Sequence, residues 1–389
     1  LKKIIYLTFY FEPDLCAGSF RNTPLVKELA AQLADQCEIE VITTMPNRYQ
    51  TFKVTAEPYE QNDNLVVHRI VLPEHKSGFL DQALSFISYF RNVIRITKSK
   101  EYDLVVASSS RLFTAYLGYR LARTKRARLY LDIRDIFTDT MKDVIKSGII
   151  KTLLLPVLRN IEKKTFSKAN HINLISEGFR SYFLKYDAPE YSFFSNGVDE
   201  EFIDMKQVEV PINKVKKIVY AGNIGEGQGL HIFIPEAAGQ LIGKYEFIII
   251  GDGGAKEKLR QEISRLQLPN VQLLAPVKRA TLIEMYQQAD FLFLHLNNYD
   301  AFEKVVPSKI FELAAFDLPI IAGVKGFART FIEKNVSNVI LFDPGDVTVF
   351  LSKLSSFGYK REKRNEFISR FRRNKLNKEM AYSIASYIS

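Results

Sequence analysis

The sequence predicts two α/β domains, each a parallel sheet covered by helices, and three observations carry that expectation. The chain has 389 residues, more than a single hydrophobic core usually serves. Runs rich in Ile, Val and Leu alternate with segments of helical periodicity, the pattern of strands buried on both faces between helices. The alternation pauses once, between about Asn196 and Val215, where Asn-Gly, several acids and Pro211 replace the apolar pattern, and then restarts.

Before the pause, strands are expected at Ile4 to Phe9, Glu38 to Thr44, Leu65 to Val71, Asp103 to Ser108, Arg128 to Ile133 and His171 to Ile175. Helices are expected between them at Ser19 to Ala34, Leu80 to Lys98, Leu112 to Arg123 and Leu153 to Phe166. After it come strands Lys217 to Ala221, Glu246 to Gly251, Val271 to Leu274, Asp290 to Leu296, Pro319 to Ala322 and Asn338 to Phe342. The helices of this half are Leu230 to Ile242, Ala255 to Leu266, Ala280 to Gln288 and Ser308 to Phe316. The boundaries drawn are 1–198 and 199–371, with a charged helix at about 372–389 crossing back to pack on the first domain.

Composition narrows the function. Hydrophobic residues make up 47% and charged residues 25%, near soluble averages, and no run approaches the roughly 20 apolar residues a bilayer span needs. Two cysteines, Cys16 and Cys37, make neither a disulfide framework nor a zinc site, so a cytoplasmic setting is expected. The net charge of +10 points to an anionic partner. No zinc finger, recognition-helix motif or RNP-type strand accompanies it, so nucleic acid is not the expected partner.

Glycine clusters mark candidate phosphate sites. Gly222, Gly225, Gly227 and Gly229 follow one strand and open a helix, and Gly251, Gly253 and Gly254 do the same one strand later. Bare backbone amides and a helix dipole in such βα turns can hold phosphate oxygens, although tight turns use glycine for geometry alone. The first strand leads instead into Phe11 to Ser19, which lacks the G-x-G-x-x-G spacing of a dinucleotide site. The most informative segment is Pro307-Ser308-Lys309-Ile310-Phe311-Glu312. Pro and Ser suit a first helical turn, Lys309 adds a cation beside its amides, and Glu312 one turn on can accept two hydrogen bonds from a ribose diol. An ordinary amphipathic helix with solvated Lys and Glu is the plainer alternative.

Taken together, the ordered motifs Tyr10-Phe-Glu-Pro13, Ala17-Gly-Ser-Phe-Arg21, Asp132-Ile-Arg-Asp135, Ser176-Glu-Gly178, Asn196-Gly-Val-Asp199, Gly222-Asn223, Gly251-Asp-Gly253 and Pro307-Ser-Lys309 resemble a retaining glycosyltransferase of family 4. The resemblance is to O-antigen and capsule enzymes, N-acetylfucosamine transferases among them. It implies the GT-B fold, two Rossmann-like domains facing an interdomain cleft, with a nucleoside-diphosphate sugar, UDP-linked, as donor and an undecaprenyl-linked saccharide as acceptor. It further implies work at the inner face of the bacterial cytoplasmic membrane and no metal or other cofactor. The donor residues carried over are Gly222, Asn223, Gly225, Gly251, Gly253, Pro307, Ser308, Lys309 and Glu312, and Gly18 would line the reaction centre.

Three departures accompany it. Family members pair two glutamates seven residues apart, and counting back from Glu312 lands on Lys304, with Glu303 beside it as the other candidate. The basic clamp on the diphosphate falls on Asn223 and Gln228, which shifts phosphate binding to Lys309 and the helix amides, with Arg279 as a reserve. The histidine common after the fifth strand is replaced by Arg134, followed by Asp135. Arg134 could bind an acceptor phosphate and Asp135 could take a hydrogen bond from the acceptor, or the two could simply pair.

Between Lys142 and Lys168, Ile149, Ile150, Leu153 and Val157 interleave with Lys146, Lys151, Arg159, Lys163 and Lys164, and 79–100 is similar around Phe86, Phe90, Arg91 and Arg95. Such stripes suit a helix lying on an anionic bilayer, and equally a crossover helix facing a core. A sugar-nucleotide epimerase on the same scaffold needs grouped acids and histidines that the chain does not show, and a non-catalytic adaptor is the remaining alternative.

Overall fold

The computed structural model describes every residue except 15, 48–54, 74–78, 110, 146, 188, 206–213 and 389, and leaves out the side chains at 79–82 and 143–144. Pro211 in the expected break and Lys146 in the expected stripe lie outside the described residues. The chain divides into two units, Leu1–Asn196 with Asn374–Ser389, and Gly197–Arg373.

The first unit is built on β1 (Lys2–Leu7), β2 (Cys37–Thr44), β3 (Tyr59–Asn62), β4 (Leu65–Ile70), β5 (Leu104–Ser109), β6 (Arg128–Ile133), β7 (His171–Leu174) and β8 (Glu190–Ser192). They form one sheet in the order β3-β4-β2-β1-β5-β6-β7-β8, parallel except for β3 on β4. The runs Ile4 to Leu7 and Leu104 to Ala107 are wholly buried, as continuous apolar strands between two helical layers must be. One face packs Leu25, Val26 and Leu29 of helix Ala17–Gln32, together with Met380, Ala381 and Ile384 of helix Arg373–Ala385. Each of the Leu, Val, Ile and Met side chains among these contributes about 1.5–3 kcal/mol when fully buried.

The second unit carries β9 (Lys216–Asn223), β10 (Tyr245–Asp252), β11 (Val271–Leu274), β12 (Phe291–His295), β13 (Ile320–Gly323) and β14 (Val339–Phe342), all parallel, in the order β11-β10-β9-β12-β13-β14. Separate apolar clusters cover its two faces, one around Leu292, Ile320 and Phe311 and the other around Phe233, Phe293 and Phe342. Strand order reverses at β1/β5 in the first sheet and at β9/β12 in the second. Loops leaving such adjacent strands in opposite directions open a crevice beyond their carboxyl ends.

The expected strands lie within two residues of the observed ones, but some elements were not legible. β3 is Tyr-Glu-Gln-Asn, a largely exposed antiparallel edge, and β8 has three residues, so neither shows an apolar run. Helices Phe137–Val144, Gly326–Asn335 and Val347–Ser356 were also unforeseen, and the helix expected over Ser308 to Phe316 is regular only over Lys309–Leu313. The terminal stretch is interrupted between helices Asn365–Arg370 and Arg373–Ala385. Val198 accounts for the break: its amide donates to Phe371 O at 2.7 Å and its carbonyl accepts from the Arg373 amide at 2.9 Å, a strand-like pairing that a continuous helix could not make. Among the described residues no helix is long and apolar enough to cross a membrane.

Candidate functional site

In the second unit the β9/β12 switch point brings the two most informative sequence segments together. The glycine loop leaves β9, the Pro307 segment follows β12, and a Cβ added to Gly222 would sit 3.7 Å from Lys309 Cε. Lys309 Nζ donates to both carboxylate oxygens of Glu312, at 3.1 and 2.9 Å, with both side chains partly exposed. Beneath them Tyr286 is wholly buried, and its phenol is held well above its usual pKa by burial first and by the Glu312 carboxylate second. Glu312 acts on the phenol through its charge and through a side-chain contact with the hydroxyl.

Two glycines set the floor. Gly222 and Gly251 face each other across β9 and β10 at φ +156° and +147°, and a Cβ on Gly251 would run into the Gly222 carbonyl oxygen. Only glycine permits that approach. Gly253 follows with its amide bonded to Asp252 Oδ1 at 2.9 Å, while Lys256 ties the Gly251 carbonyl at 2.6 Å and Leu274 O at 3.1 Å. Asn223 and Gln228, where a basic clamp would stand, are bonded to each other: Asn223 Nδ2 donates to Gln228 Oε1 at 2.8 Å, and the Gly225 amide donates to the same oxygen at 3.2 Å.

His295, at the end of β12, was not singled out from sequence, yet it fixes this loop. Its Nδ1 lies 2.7 Å from Gln228 O, and the Gly345 amide donates to its Nε2 at 3.2 Å, which assigns the proton to Nδ1. Burial lowers its pKa to about 4, against the opposing pull of the Gln228 carbonyl, so the ring stays neutral. A histidine closing an apolar strand at the carboxyl edge of a sheet was the available signal.

Glu303 lies in the short turn Asp300–Lys304, paired with Lys325 at 2.8 Å and half exposed. The neighbouring Phe302 packs against Gly227, where an added Cβ would approach its ring to 2.9 Å. The turn therefore adjoins the glycine loop. Arg279 is engaged elsewhere: it pairs with Asp199 and, at 3.3 Å, with Glu201, and its guanidinium lies 4.6 Å from the Phe202 ring centre.

In the first unit, Gly18 and Arg134 meet beside the β1/β5 switch point. A Cβ on Gly18 would stand 3.2 Å from both terminal nitrogens of Arg134 and 3.1 Å from Tyr10 Cβ. Arg134 does not pair with Asp135, which instead accepts from the Thr140 hydroxyl at 3.2 Å. Burial pushes the Asp135 carboxyl up to about 6, more than the Thr140 and Ile136 hydrogen bonds and the nearby Arg134 charge bring it down. The ring of side chains beneath was invisible in the sequence. Arg21 grips buried Asp132 through Nε at 2.9 Å and Nη2 at 2.8 Å, and donates to Phe194 O and Ser195 O. Ser108 and Asn173 complete Asp132 at 2.9 and 2.7 Å. Burial alone would raise the Asp132 pKa, but Arg21, Asn173 and Arg134 bring it below its usual value.

The stripe in helix Gly148–Phe166 is not a core face along its first half. Ile149, Ile150, Leu153 and Val157 are 77, 52, 69 and 53% exposed, whereas Leu158, Glu162, Thr165 and Phe166 turn inward.

Comparison with known proteins matches residues 23–197 to the family described as "Glycosyl transferase 4-like domain" and residues 202–374 to "Glycosyl transferases group 1". A protein of Escherichia coli K12 described as a colanic acid biosynthesis glycosyl transferase, WcaI, is 28% identical over 80% of this chain and 81% of its own length. The 2-deoxystreptamine N-acetyl-D-glucosaminyltransferase of Niallia circulans is 24% identical over 83% of this chain and 84% of its own. Among solved structures, HepE of Anabaena in complex with UDP-glucose superposes with a TM-score of 0.67 at 16% identity, covering 99% of each chain, a likeness of fold.

Proposed function

We propose that this chain, a glycosyltransferase with the GT-B fold, moves a sugar from a UDP-linked donor to a lipid-linked acceptor with retention at the anomeric carbon. The observation that carries the donor half is the Lys309–Glu312 pair set against Gly222 at the β9/β12 switch point. Glu312 takes the two ribose hydroxyls, and Lys309, Ser308 and the amides after Pro307 take the diphosphate. Gly222, Gly225, Gly251 and Gly253 allow the close backbone packing that forms the floor against which the nucleotide lies. Asn223 serves the loop rather than the phosphates, since its amide is occupied by Gln228. HepE, of the same fold, was crystallised with UDP-glucose, which supports a nucleotide sugar as the class of donor.

On the first unit, Gly18 leaves space beside Arg134 for the acceptor, and Asp135 accepts a hydrogen bond from its hydroxyl. The acceptor oxygen forms its bond to the anomeric carbon on the face from which the diphosphate leaves, and the hydroxyl proton passes to the departing phosphate oxygen. No side-chain nucleophile enters this step. Its acceleration comes from positioning and from stabilising the charge of the leaving group. Glu303 serves the transferred sugar, and the reaction as proposed uses no metal.

Exposed Ile149, Ile150, Leu153 and Val157, with Arg159, Lys163 and Lys164 on the same helix, support a peripheral seat on an anionic bilayer at the cytoplasmic face. Assembly of bacterial surface polysaccharide, with an amino sugar such as N-acetylfucosamine as the group moved, is the setting proposed. The test is a thermal shift with UDP, GDP, ADP and TDP, because a ligand that binds only the folded state stabilises it. A shift with UDP is expected, and no shift with any of the four would overturn the donor site.

A further inference from the structure

The first unit holds a cavity of about 510 Å³, within the roughly 300–1,000 Å³ of small-molecule pockets, with Arg111 at the start of the helix after β5 in its lining. Helix Phe79–Thr97, the start of helix Leu112–Lys125 and helix Phe137–Val144 line it. Its wall is aromatic: Phe86 and Phe113 have ring centres 5.5 Å apart, and Phe113 and Phe137 are 5.8 Å apart. Apart from Arg91, Arg111 and Tyr116 the lining carries no polar side chain, so most of the wall suits an apolar chain.

Two features point to the head of that chain. Arg91 and Arg111 line the same cavity, and no carboxylate among the described residues pairs with either. Arg111 caps the helix that follows β5 and lies 4.9 Å from the Phe9 ring centre, so it stands where the cavity meets the switch-point loops. From there the aromatic wall continues inward. Phe86 adjoins Tyr89, Tyr89 packs on Phe9, Phe9 packs on Tyr10, and Tyr10 touches the space beside Gly18. Tyr89 is pinned by donating to Ile42 O at 2.7 Å, which fixes this helix to the carboxyl end of the sheet. Apolar surface, cations that no carboxylate among the described residues pairs with, and the acceptor position therefore follow one another in that order.

We infer that this cavity seats the lipid tail of the acceptor, an apolar chain joined through phosphate to the sugar that receives the transferred group, with Arg111 and Arg91 on the phosphate. The inference rests on the lipid-linked reading of the acceptor above and gives it a location. Leu84 and Ile87, exposed on the same helix at 60 and 44%, let the far end of a long chain continue out of the cavity toward a bilayer.

Farnesyl phosphate is a soluble probe of this chemistry. A diazirine-bearing farnesyl phosphate, irradiated with the wild-type protein and mapped by mass spectrometry, should label peptides containing Phe86, Phe113 and Phe137. Calorimetry should show farnesyl phosphate binding at least about tenfold more tightly than farnesol, with Arg111→Gln narrowing the gap and Ala83→Trp weakening both. Label confined to Gly148–Phe166, or farnesyl phosphate affinity unchanged by Ala83→Trp in a variant that unfolds at the wild-type temperature, would overturn the inference. So would labelling of the cavity from phosphatidylglycerol vesicles that farnesyl phosphate does not displace, since that marks a general membrane contact. The UDP thermal shift, run on the same samples, tests the donor site separately from the farnesyl phosphate titration. Its loss would count against the donor site and leave the farnesyl phosphate result standing.

Discussion

Lys309 and Glu312 neutralise each other, the ammonium lying 2.9 and 3.1 Å from the two carboxylate oxygens. Three residues apart on one helical face, they form a closed pair. In the proposed function, donor binding opens it, the ribose diol replacing the ammonium at Glu312 and the diphosphate replacing the carboxylate at Lys309. Glu312→Ala should weaken UDP binding by roughly 10–100-fold, the worth of charged hydrogen bonds of about 1.5–3 kcal/mol, while leaving the unfolding temperature of the free protein near wild type. Lys309→Ala should weaken UDP and also flatten the dependence of affinity on salt, because the lost term is a charge attraction partly open to solvent. Titration calorimetry at two ionic strengths reads both, and unchanged affinity in either variant removes that residue from the site.

Gly251→Ala should cost more than about 2 kcal/mol, because the new methyl meets the Gly222 carbonyl oxygen at a backbone conformation that L residues avoid. Gly254→Ala, with open space around its added methyl, is the control and should shift stability by less than about 1 kcal/mol. Thermal scans of the two variants make the comparison.

Arg21→Ala should destabilise the first unit by about 3–5 kcal/mol, since it strands the buried Asp132 carboxylate without its cation. Arg21→Lys should not restore it. A single ammonium cannot supply the two parallel bonds to Asp132 and the carbonyl contacts at Phe194 and Ser195 together. Urea unfolding monitored by circular dichroism distinguishes the outcomes.

Asp135 carries a pH prediction. Its folded pKa of about 6 lies above the ordinary value of 3.8, so ionisation opposes folding: its favourable contribution is full below about 3.8 and is lost as pH rises through 6. Asp135→Asn, which keeps the uncharged form, should therefore be more stable than wild type at pH 7.5, by on the order of 1–2 kcal/mol, and nearly equal to it at pH 4. Transfer should fall in wild type below pH 6 as the proposed hydrogen-bond acceptor becomes protonated. A stability gain that persists at pH 4 would contradict the assignment.

Replacing Ile149, Leu153 and Val157 together with Ser should lower binding to phosphatidylglycerol vesicles at least about tenfold in flotation assays, through lost apolar insertion. The unfolding temperature should hardly move, because these side chains are exposed. Binding that survives would assign membrane contact to another surface.

The sequence by itself determined the two-domain α/β architecture, because parallel strands buried on both faces must be written as continuous apolar runs, and Leu104 to Ala107 is such a run. It also located the Pro307 to Glu312 segment and the glycine turns, whose chemistry is local: a first helical turn, a cation and an acid three residues apart, and residues that alone accept φ values such as that of Gly251. Edge elements escaped it. Tyr59–Asn62 pairs along one side only and carries no apolar signature, so its polar residues read as a loop. Tertiary structure alone decided what depends on distant residues. Arg21 and Asp132, 111 residues apart, become one buried pair, and Asn223 and Gln228, at the positions of the expected basic clamp, bond to each other. The apolar stripe of Gly148–Phe166 could equally have faced a core, since periodicity shows that a face is apolar but not what covers it. Packing left Ile149, Leu153 and Val157 outside and enclosed Phe86, Phe113 and Phe137 around a cavity, and no spacing along the chain records that difference.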